Sequence, residues 1–486
     1  MDRLPKELVC HADPYWQRLK SELETQELSQ EQLSQLHQAC AYSDFIASAC
    51  IREPELAVVL LDSESCQRNY QGQLQTLLQS VGTEAELHRQ LRRFRQQELA
   101  RLAWFQLFGC LEIEDLLIRQ SDLADALIQG ARDWLYAKLT ERWGTPVNDN
   151  SEQQSLLVIA MGKLGGRELN FSSDIDLILA FMEHGQTRGG ERSCSNQEFF
   201  TKLGRQLVRA LDEMTADGQV YRVDLRLRPF GDSGPLVASF AALEDYYLCH
   251  GRDWERYALI KARLIGSSAL EHQELHQLLR PFVYRRYIDF SVIQALRSMK
   301  GMINAEIRRR DLRDNIKLGA GGIREVEFIA QSFQLMRGGR EPALQTQSLL
   351  SALEQLSADK MLPDEQVCEL RKHYLYLRQV ENYLQLFNDK QTQTLPSESH
   401  ERLRLCSLLG FATWQDCQQQ IAGVMASVHG VFLQIAGEGD AQSESAAPFW
   451  FELWNSPFTP ENCVEQLSQR ISGPRLSSWP VLWMGS

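Results

Sequence analysis

The chain has 486 residues, 43% of them apolar and 24% charged, with 51 basic against 64 acidic side chains and a formal net charge of −13. That composition excludes a largely disordered chain, and at about 150 residues per domain it leaves room for about three domains. The acidity argues against a protein that coats nucleic acid, because no domain-wide basic face could replace counterions; a local positive pocket for a nucleotide stays compatible with it.

The amino terminus, MDRLPKELVCHADPYW, carries charges throughout and has no apolar core of signal-peptide length. Nowhere do about 18 apolar residues run uninterrupted, so no membrane span is expected. None of the eleven cysteines pairs at C-x-x-C spacing, which removes zinc-ribbon and thioredoxin-like readings. A disulfide framework is not expected in so long a chain, and the reading is a reduced, cytoplasmic protein.

Residues 1–150 hold only five glycines and read as an amino-terminal helical domain. One helix opens at Thr83 with Glu86 three residues on, a capping box in which each side chain satisfies the other's free N–H. Behind it Leu87, Leu91 and Phe94 form an apolar stripe, while Arg89, Arg92, Arg93 and Arg95 are read as a solvated basic face rather than an anion site.

Residues 151–262 change character. Ser155–Ala160 is a short apolar run that meets a glycine loop at Gly162–Gly166, and Asp176–Phe181 is a second run. A helix follows, with Phe199, Phe200, Leu203, Leu207 and Leu211 on one face and Gly218 placed to stop it. Val220–Arg228 alternates apolar and charged residues and predicts a half-buried strand. The segment is an α/β unit. In Asp253–Arg263, helical spacing puts Tyr257 and Lys261 on one face, and Trp254 is expected in the core rather than stacked on a base.

Helical periodicity returns over 263–437, interrupted by the glycines of Lys317–Gly322. The small, polar, acidic stretch at 438–447 reads as a linker. Residues 448–486 begin a new apolar helix without room for a domain, so the truncated start of a following helical region is expected there.

Three carboxylates carry the chemistry. Asp174 and Asp176 lie two apart at the start of a strand, so their side chains leave one face of the sheet, and Asp224 lies on the charged face of the later strand between Arg222 and Arg226. If the strands pair, the three acids converge, and a hard cation such as Mg²⁺ is the natural neutraliser. Gly165 and Gly166 would let backbone N–H groups cradle a phosphate, with the Ser172 and Ser173 hydroxyls beside them. This order of strand, Gly-Gly turn, D-x-D and later Asp describes metal-assisted phosphoryl or nucleotidyl transfer. The cluster Gly319–Gly322 precedes a helical run and is either an anion site reinforced by Lys317 and Arg324 or an ordinary helix start.

Four segments now carry a resemblance. Met161–Leu177 (MGKLGGRELNFSSDIDL), Arg222–Gly231 (RVDLRLRPFG), Gly251–Tyr257 (GRDWERY) and Ile316–Glu325 (IKLGAGGIRE) are similar to the bifunctional glutamine synthetase adenylyltransferase/adenylyl-removing family, over roughly residues 14–437. The resemblance implies an α+β, mostly helical chain in which a nucleotidyltransferase domain of the polymerase-β type, with a small mixed sheet, sits between helical domains. That family carries two such domains. One Gly-Gly…D-x-D set is found here, so the resemblance implies the amino-terminal, adenylyl-removing half with the attaching half absent.

Removal in that family is phosphorolysis: phosphate attacks the AMP phosphorus, releasing the tyrosine of glutamine synthetase and ADP. Carried over, Asp174, Asp176 and Asp224 would hold two Mg²⁺ ions. Arg226, Arg228, Lys317, Gly321, Gly322 and Arg324 are candidates for holding the nucleotide or the inorganic phosphate. The resemblance also implies the uridylylated PII signalling protein as a partner and glutamine as an effector. Forward transfer from ATP to a protein or small molecule is the enzymatic alternative. A non-catalytic scaffold is the other, though a binding module has no reason to bear three clustered carboxylates.

Overall fold

The computed structural model describes residues 4–24, 26–62, 68–285 and 314–436. Residues as far as His429 belong to one compact unit and Gly430–Ser486 to a second, of which 430–436 are described. The linker and truncated region expected at 438–486 lie outside the described residues.

The chain opens with helices α1 (Lys6–Glu22), α2 (Gln30–Tyr42), α3 (Asp44–Arg52), α4 (Pro54–Leu61), α5 (Tyr70–Leu78), α6 (Glu84–Leu107) and α7 (Ile113–Trp143). The capping box that starts α6 is present, Thr83 N–H donating to Glu86 at 3.2 Å and Glu86 N–H to Thr83 Oγ1 at 3.3 Å. Leu87 and Leu91 are fully buried. The arginines behind them depart in part from the solvated face predicted for them. Arg89 and Arg93 are exposed, as predicted, with Arg93 paired to Glu53, but Arg92 is buried and donates to the carbonyls of Ala210 (3.1 Å) and Gly218 (2.9 Å). Arg95 makes a two-pronged ion pair with Asp389, at 2.9 Å on its closer arm. These cations tie helices to distant segments, which the local pattern around α6 does not encode.

Next come strands β1 (Thr145–Val147), β2 (Leu157–Met161), β3 (Ile175–Phe181), β4 (Gln186–Arg188), β5 (Val223–Asp224), β6 (Val237–Ser239) and β7 (Arg263–Ile265), with the one-turn helix α8 (Gly162–Gly165) after β2 and α9 (Asn196–Asp212) after β4. The main sheet runs β5-β3-β2-β7. β2 is antiparallel to β3 and β7, whereas β3 pairs in parallel with β5 at its start and with β6 at its end. Every residue of β2 is buried, and in β3 Asp176 alone is partly accessible, as a strand covered on both faces requires. The α9 stripe of Phe199, Phe200, Leu203, Leu207 and Leu211 is fully buried against β6 and α7, each side chain contributing about 2 kcal/mol by removal from water.

Two local predictions need correction. The strand expected over Val220–Arg228 is two residues long. Asp224 turns its carboxylate onto the N–H of Arg226 (2.8 Å), and Arg228 N–H bonds back to the Leu225 carbonyl (3.1 Å), so an Asx turn ends the ladder. Gly218 does not stop α9, which ends at Asp212; its φ of +93° instead closes a tight turn with Thr215.

Helices α10 (Phe240–Cys249), α11 (Asp253–Leu259), α12 (Ala269–Val283), α13 (Ile323–Arg337), α14 (Leu349–Ala358), α15 (Asp364–Leu386), α16 (Ser399–Leu409) and α17 (Trp414–Ala436) follow. Trp254 is 41% exposed rather than core; α11 buries Glu255, Arg256 and Leu259, and Trp254 lies off that face. Lys261 lies beyond that helix and is buried. Among these elements α15 packs against α7, α13 and α14, bridging early and late parts of the chain. No described helix is long and apolar enough to cross a membrane.

Candidate active site

The parallel pairing of β3 with β5 sets Asp176 directly beside Asp224, and side chains at paired positions of a parallel ladder share a face. Asp174 lies one residue before β3, where Ile175 N–H bonds to the Arg222 carbonyl at 2.9 Å. The Asp176 carboxylate is partly accessible and receives no hydrogen bond from the described residues. Burial and the neighbouring charges of Asp224 and Asp174 push its pKa up to about 6, against the pull of Lys317 and Arg226. The other two acids are compensated. Asp174 is held by the Arg222 guanidinium and, at 3.0 Å, by Gln391 Nε2. Asp224 accepts Arg226 Nε at 2.9 Å, and that bond together with the Arg226 N–H holds it below the usual carboxylate range.

The predicted cations divide sharply. Arg226 has 77% of its side chain exposed, so its link to Asp224 is a surface pair of small net worth. Arg228 is turned away, donating to the Leu225 carbonyl at 2.9 Å and approaching Asp232. Lys317 acts on Asp176 by charge, and the described residues give its ammonium no ion pair. Arg324 opens α13, its N–H bonded to the Lys317 carbonyl at 3.1 Å.

Neither glycine cluster is a free anion cradle. A Cβ on Gly165 would lie 1.8 Å from the Lys261 carbonyl oxygen, so that glycine permits close backbone packing. The Gly166 N–H is spent on the Gly162 carbonyl at 3.1 Å. At the second cluster the Glu325 carboxylate takes the Gly321 N–H at 2.9 Å, and the N–H groups of Gly322, Ile323 and Arg324 all reach carbonyls. Of the two readings left open for Gly319–Gly322, the helix start is the one observed, since Glu325 fills the place an anion would take. Gly162 is the glycine that touches the acids: its φ is +55°, and a Cβ on it would fall 2.6 Å from Asp176 Oδ2. Its position after an apolar strand was available as a signal, overshadowed by the Gly-Gly pair three residues on.

A model of the family described as glutamate-ammonia ligase adenylyltransferase matches residues 33–278, just over half of the chain, and takes in all three acids. The chain belongs to that family. A second family model, described as GlnD PII-uridylyltransferase, matches residues 297–436. Members of the adenylyltransferase family are nucleotidyltransferases that act on glutamine synthetase.

Within this family member, the two matched regions meet at the acids. Helix α15, from the second, lays Tyr374, Arg378, Glu381, Asn382 and Gln385 along the segment that leads into Asp174. Asn382 Oδ1 takes the Phe171 N–H at 2.9 Å, Gln385 Oε1 takes the Ser172 N–H at 2.8 Å, and Arg378 reaches the Glu168 carbonyl and Asn170. Lys261 Nζ bridges Glu168 and Glu327, at 2.9 Å from each. Burial opposes ionisation of Glu327, yet the Lys261, Lys317 and Lys163 charges outweigh it and hold that carboxyl down at about 2. Lys163, next to Gly162, pairs with Glu381 at 2.8 Å; burial lowers its amine to about 7 against the pull of Glu381. Sequence reasoning missed this stripe. Its spacing along one helix face is visible, but its target some 200 residues upstream is not.

The donor set suits a hard cation in kind. It offers oxygen ligands only, and the unpaired Asp176 carboxylate carries a proton affinity that a dication would relieve. Among the described residues no three such groups already form a metal cage. Arg222 and Arg226 hold Asp174 and Asp224, so an incoming cation would compete with two guanidinium groups, of which Arg226 is free to swing into solvent.

Proposed function

We propose that the chain removes AMP from an adenylylated tyrosine of glutamine synthetase by magnesium-dependent phosphorolysis, releasing ADP and reactivating the synthetase. The observation that carries this reading is the register that sets Asp176 beside Asp224 with the Asp176 carboxylate uncompensated. Its chemical direction rests on the resemblance of the long motifs around Gly162–Asp176 and Arg222–Gly231 to that bifunctional family, from which the adenylyl-removing half is implied.

Asp176, Asp224 and Asp174 would hold magnesium, two ions in the full reading. Bound there, the metal supplies neutralisation between two anionic phosphorus centres and stabilises the departing tyrosyl oxygen. The remaining work falls to side chains. Lys317, without a carboxylate partner among the described residues, draws the phosphate nucleophile toward the acids, and Arg226 is released from Asp224 to pair with phosphoryl oxygen. A phosphate oxygen bonds to the AMP phosphorus as the bond from phosphorus to the tyrosyl oxygen breaks, and that oxygen regains a proton. Arg222 and Gln391 keep Asp174 oriented throughout.

The match of 297–436 to a PII-uridylyltransferase model supports PII-related regulation of the helical region; the uridylylated form of PII, glutamine as an effector and the cytoplasm as the location are part of the proposal and rest on the family resemblance. Forward transfer from ATP is the second reading, favoured by the matched family's own description as an adenylyltransferase. Glutamine synthetase carrying radiolabelled AMP separates them. Incubated with the protein and magnesium, it should yield labelled ADP when phosphate is present and none when it is left out. Labelled AMP without phosphate would mean hydrolysis, and ATP-dependent labelling of unmodified synthetase with no ADP release would overturn the proposal.

A further inference from the structure

Arg222 serves two places. Its Nε holds Asp174 and its Nη2 donates to the Ser172 carbonyl at 2.6 Å, while the same side chain lines a cavity of about 410 Å³. That cavity is walled by helices α1, α3 and α6, by the turn at 214–222 and by Asn388 and Asp389. None of Asp174, Asp176 and Asp224 lines it.

What faces the cavity is a set of cations and unmet donors. Ser172 and Ser173 are 3% and 6% exposed, and neither hydroxyl hydrogen-bonds to a described residue. Arg95, also on the lining, holds Asp389 through its two terminal nitrogens, at 2.9 and 3.2 Å, and brings its charge to the cavity wall. Arg52, on the lining, donates to Gln96 at 2.9 Å and has no ion pair with the described residues. Guanidinium groups can only donate, so such a pocket calls for acceptors. Its own acids answer little of that demand. Asp44 is taken by Arg404, Asp389 by Arg95, and Asp217 is exposed. Ser172 and Ser173 are the buried donors of the set, and leaving each unmet costs about 1–3 kcal/mol, which an oxygen-rich anion would recover; Arg52 is exposed and adds its charge.

We propose that this cavity binds a small oxyanion, either a phosphate or the carboxylate of a metabolite-sized acid, on Arg52, Arg95, Ser172 and Ser173, at a place separate from the three acids. Because Arg222 lines the cavity and also holds Asp174, an occupant is felt at the catalytic end of β3. The inference does not depend on the direction of AMP transfer and is tested without catalysis.

Isothermal titration of the metal-free protein in EDTA, with orthophosphate and separately with succinate, gives the test. At least one of the two should saturate a single site per chain: phosphate alone marks a phosphoryl ligand, succinate alone a carboxylic acid, and both a general oxyanion pocket. Arg52→Ala and Ser173→Ala should each weaken that binding by about tenfold, as loss of one charged or buried hydrogen bond does. Asp224→Asn should leave it within about threefold, since a nearby surface charge contributes no more than that. Thermal melting of each variant confirms that it is folded. The proposal fails if neither ion saturates, if either cavity variant binds as the wild type does, or if Asp224→Asn moves the affinity further than that.

Discussion

Gly162 stands against Asp176 so closely that a Cβ on the glycine would fall 2.6 Å from the carboxylate Oδ2, and its φ of +55° is one that side-chain-bearing residues resist. Gly162→Ala therefore meets two penalties. The backbone strain is about 1–2 kcal/mol. The displaced carboxylate costs the reaction more, since a shift of about 1 Å in a catalytic group can remove about 100-fold in rate. The expected outcome is a melting temperature lowered by a few degrees and the proposed phosphate-dependent ADP formation from modified glutamine synthetase reduced at least about 100-fold. An alanine variant with wild-type turnover would mean that Asp176 is not placed by this contact.

The raised pKa of Asp176 makes a second, opposite-signed prediction. An acid whose folded pKa lies above its unfolded value destabilises the fold in its ionised form, so the penalty is absent at pH 3 and complete at pH 7 and above. From about 3.8 to about 6 it amounts to as much as about 3 kcal/mol at about 1.4 kcal/mol per pK unit. In EDTA at pH 7.5, Asp176→Asn should consequently melt at a higher temperature than the wild type. If the acids hold magnesium as proposed, adding it should reverse the order, since the wild type alone would gain from the ion. Differential scanning fluorimetry reads both arms, and an apo variant no more stable than wild type would show that the acid cluster carries no strain.

Much of the framework of the candidate site was legible because it is local. The runs that became β2 and β3, the α9 stripe and the Thr83–Glu86 box each rest on spacing within a few residues, and the two-residue offset of Asp174 and Asp176 follows from strand geometry. The misreadings come from side-chain and backbone contacts that an apolar/polar pattern does not encode, some distant and some within a turn. Gly165 is a glycine because the Lys261 carbonyl presses on it from 96 positions away, and Gly319–Gly322 closes because Glu325 folds back onto Gly321. The Val220–Arg228 alternation is a true pattern that one side chain defeats, when Asp224 takes the Arg226 N–H and ends the strand. The partners of Asp174, Arg222 and Gln391, lie 48 and 217 positions along the chain and meet it only in the fold.

The Glu168–Lys261–Glu327 cluster should set the acid limit of the fold. Glu327 has a folded pKa held down near 2, so its stabilisation is fully present above the ordinary glutamate range and is lost as pH falls through that range toward 2. Melting curves between pH 5 and 2 should show a drop of which up to about 3 kcal/mol belongs to this group. Glu327→Gln, which leaves Lys261 paired with Glu168, should be less stable at pH 7 and should lose less than the wild type over that acid interval. Parallel pH profiles for the two proteins would remove Glu327 from this role.

In the proposed reaction Gln385 would act through the backbone. Its Oε1 takes the Ser172 N–H at 2.8 Å, two residues before Asp174, while Asn382 holds Phe171 in the same way. Gln385→Leu removes the acceptor and leaves a buried N–H unmet, at about 1–3 kcal/mol, so the segment carrying Asp174 shifts. Turnover should fall by about 10–100-fold with KM for the modified synthetase nearly unchanged, because the lost contact orients the acids and does not touch the protein substrate. Gln385→Glu keeps an oxygen acceptor at the same reach and should recover most of the rate, whereas a general loosening of α15 would not be repaired by that exchange. Equal defects in the leucine and glutamate variants would reduce Gln385 to a packing residue and leave the register of β3 with β5 as what fixes Asp176.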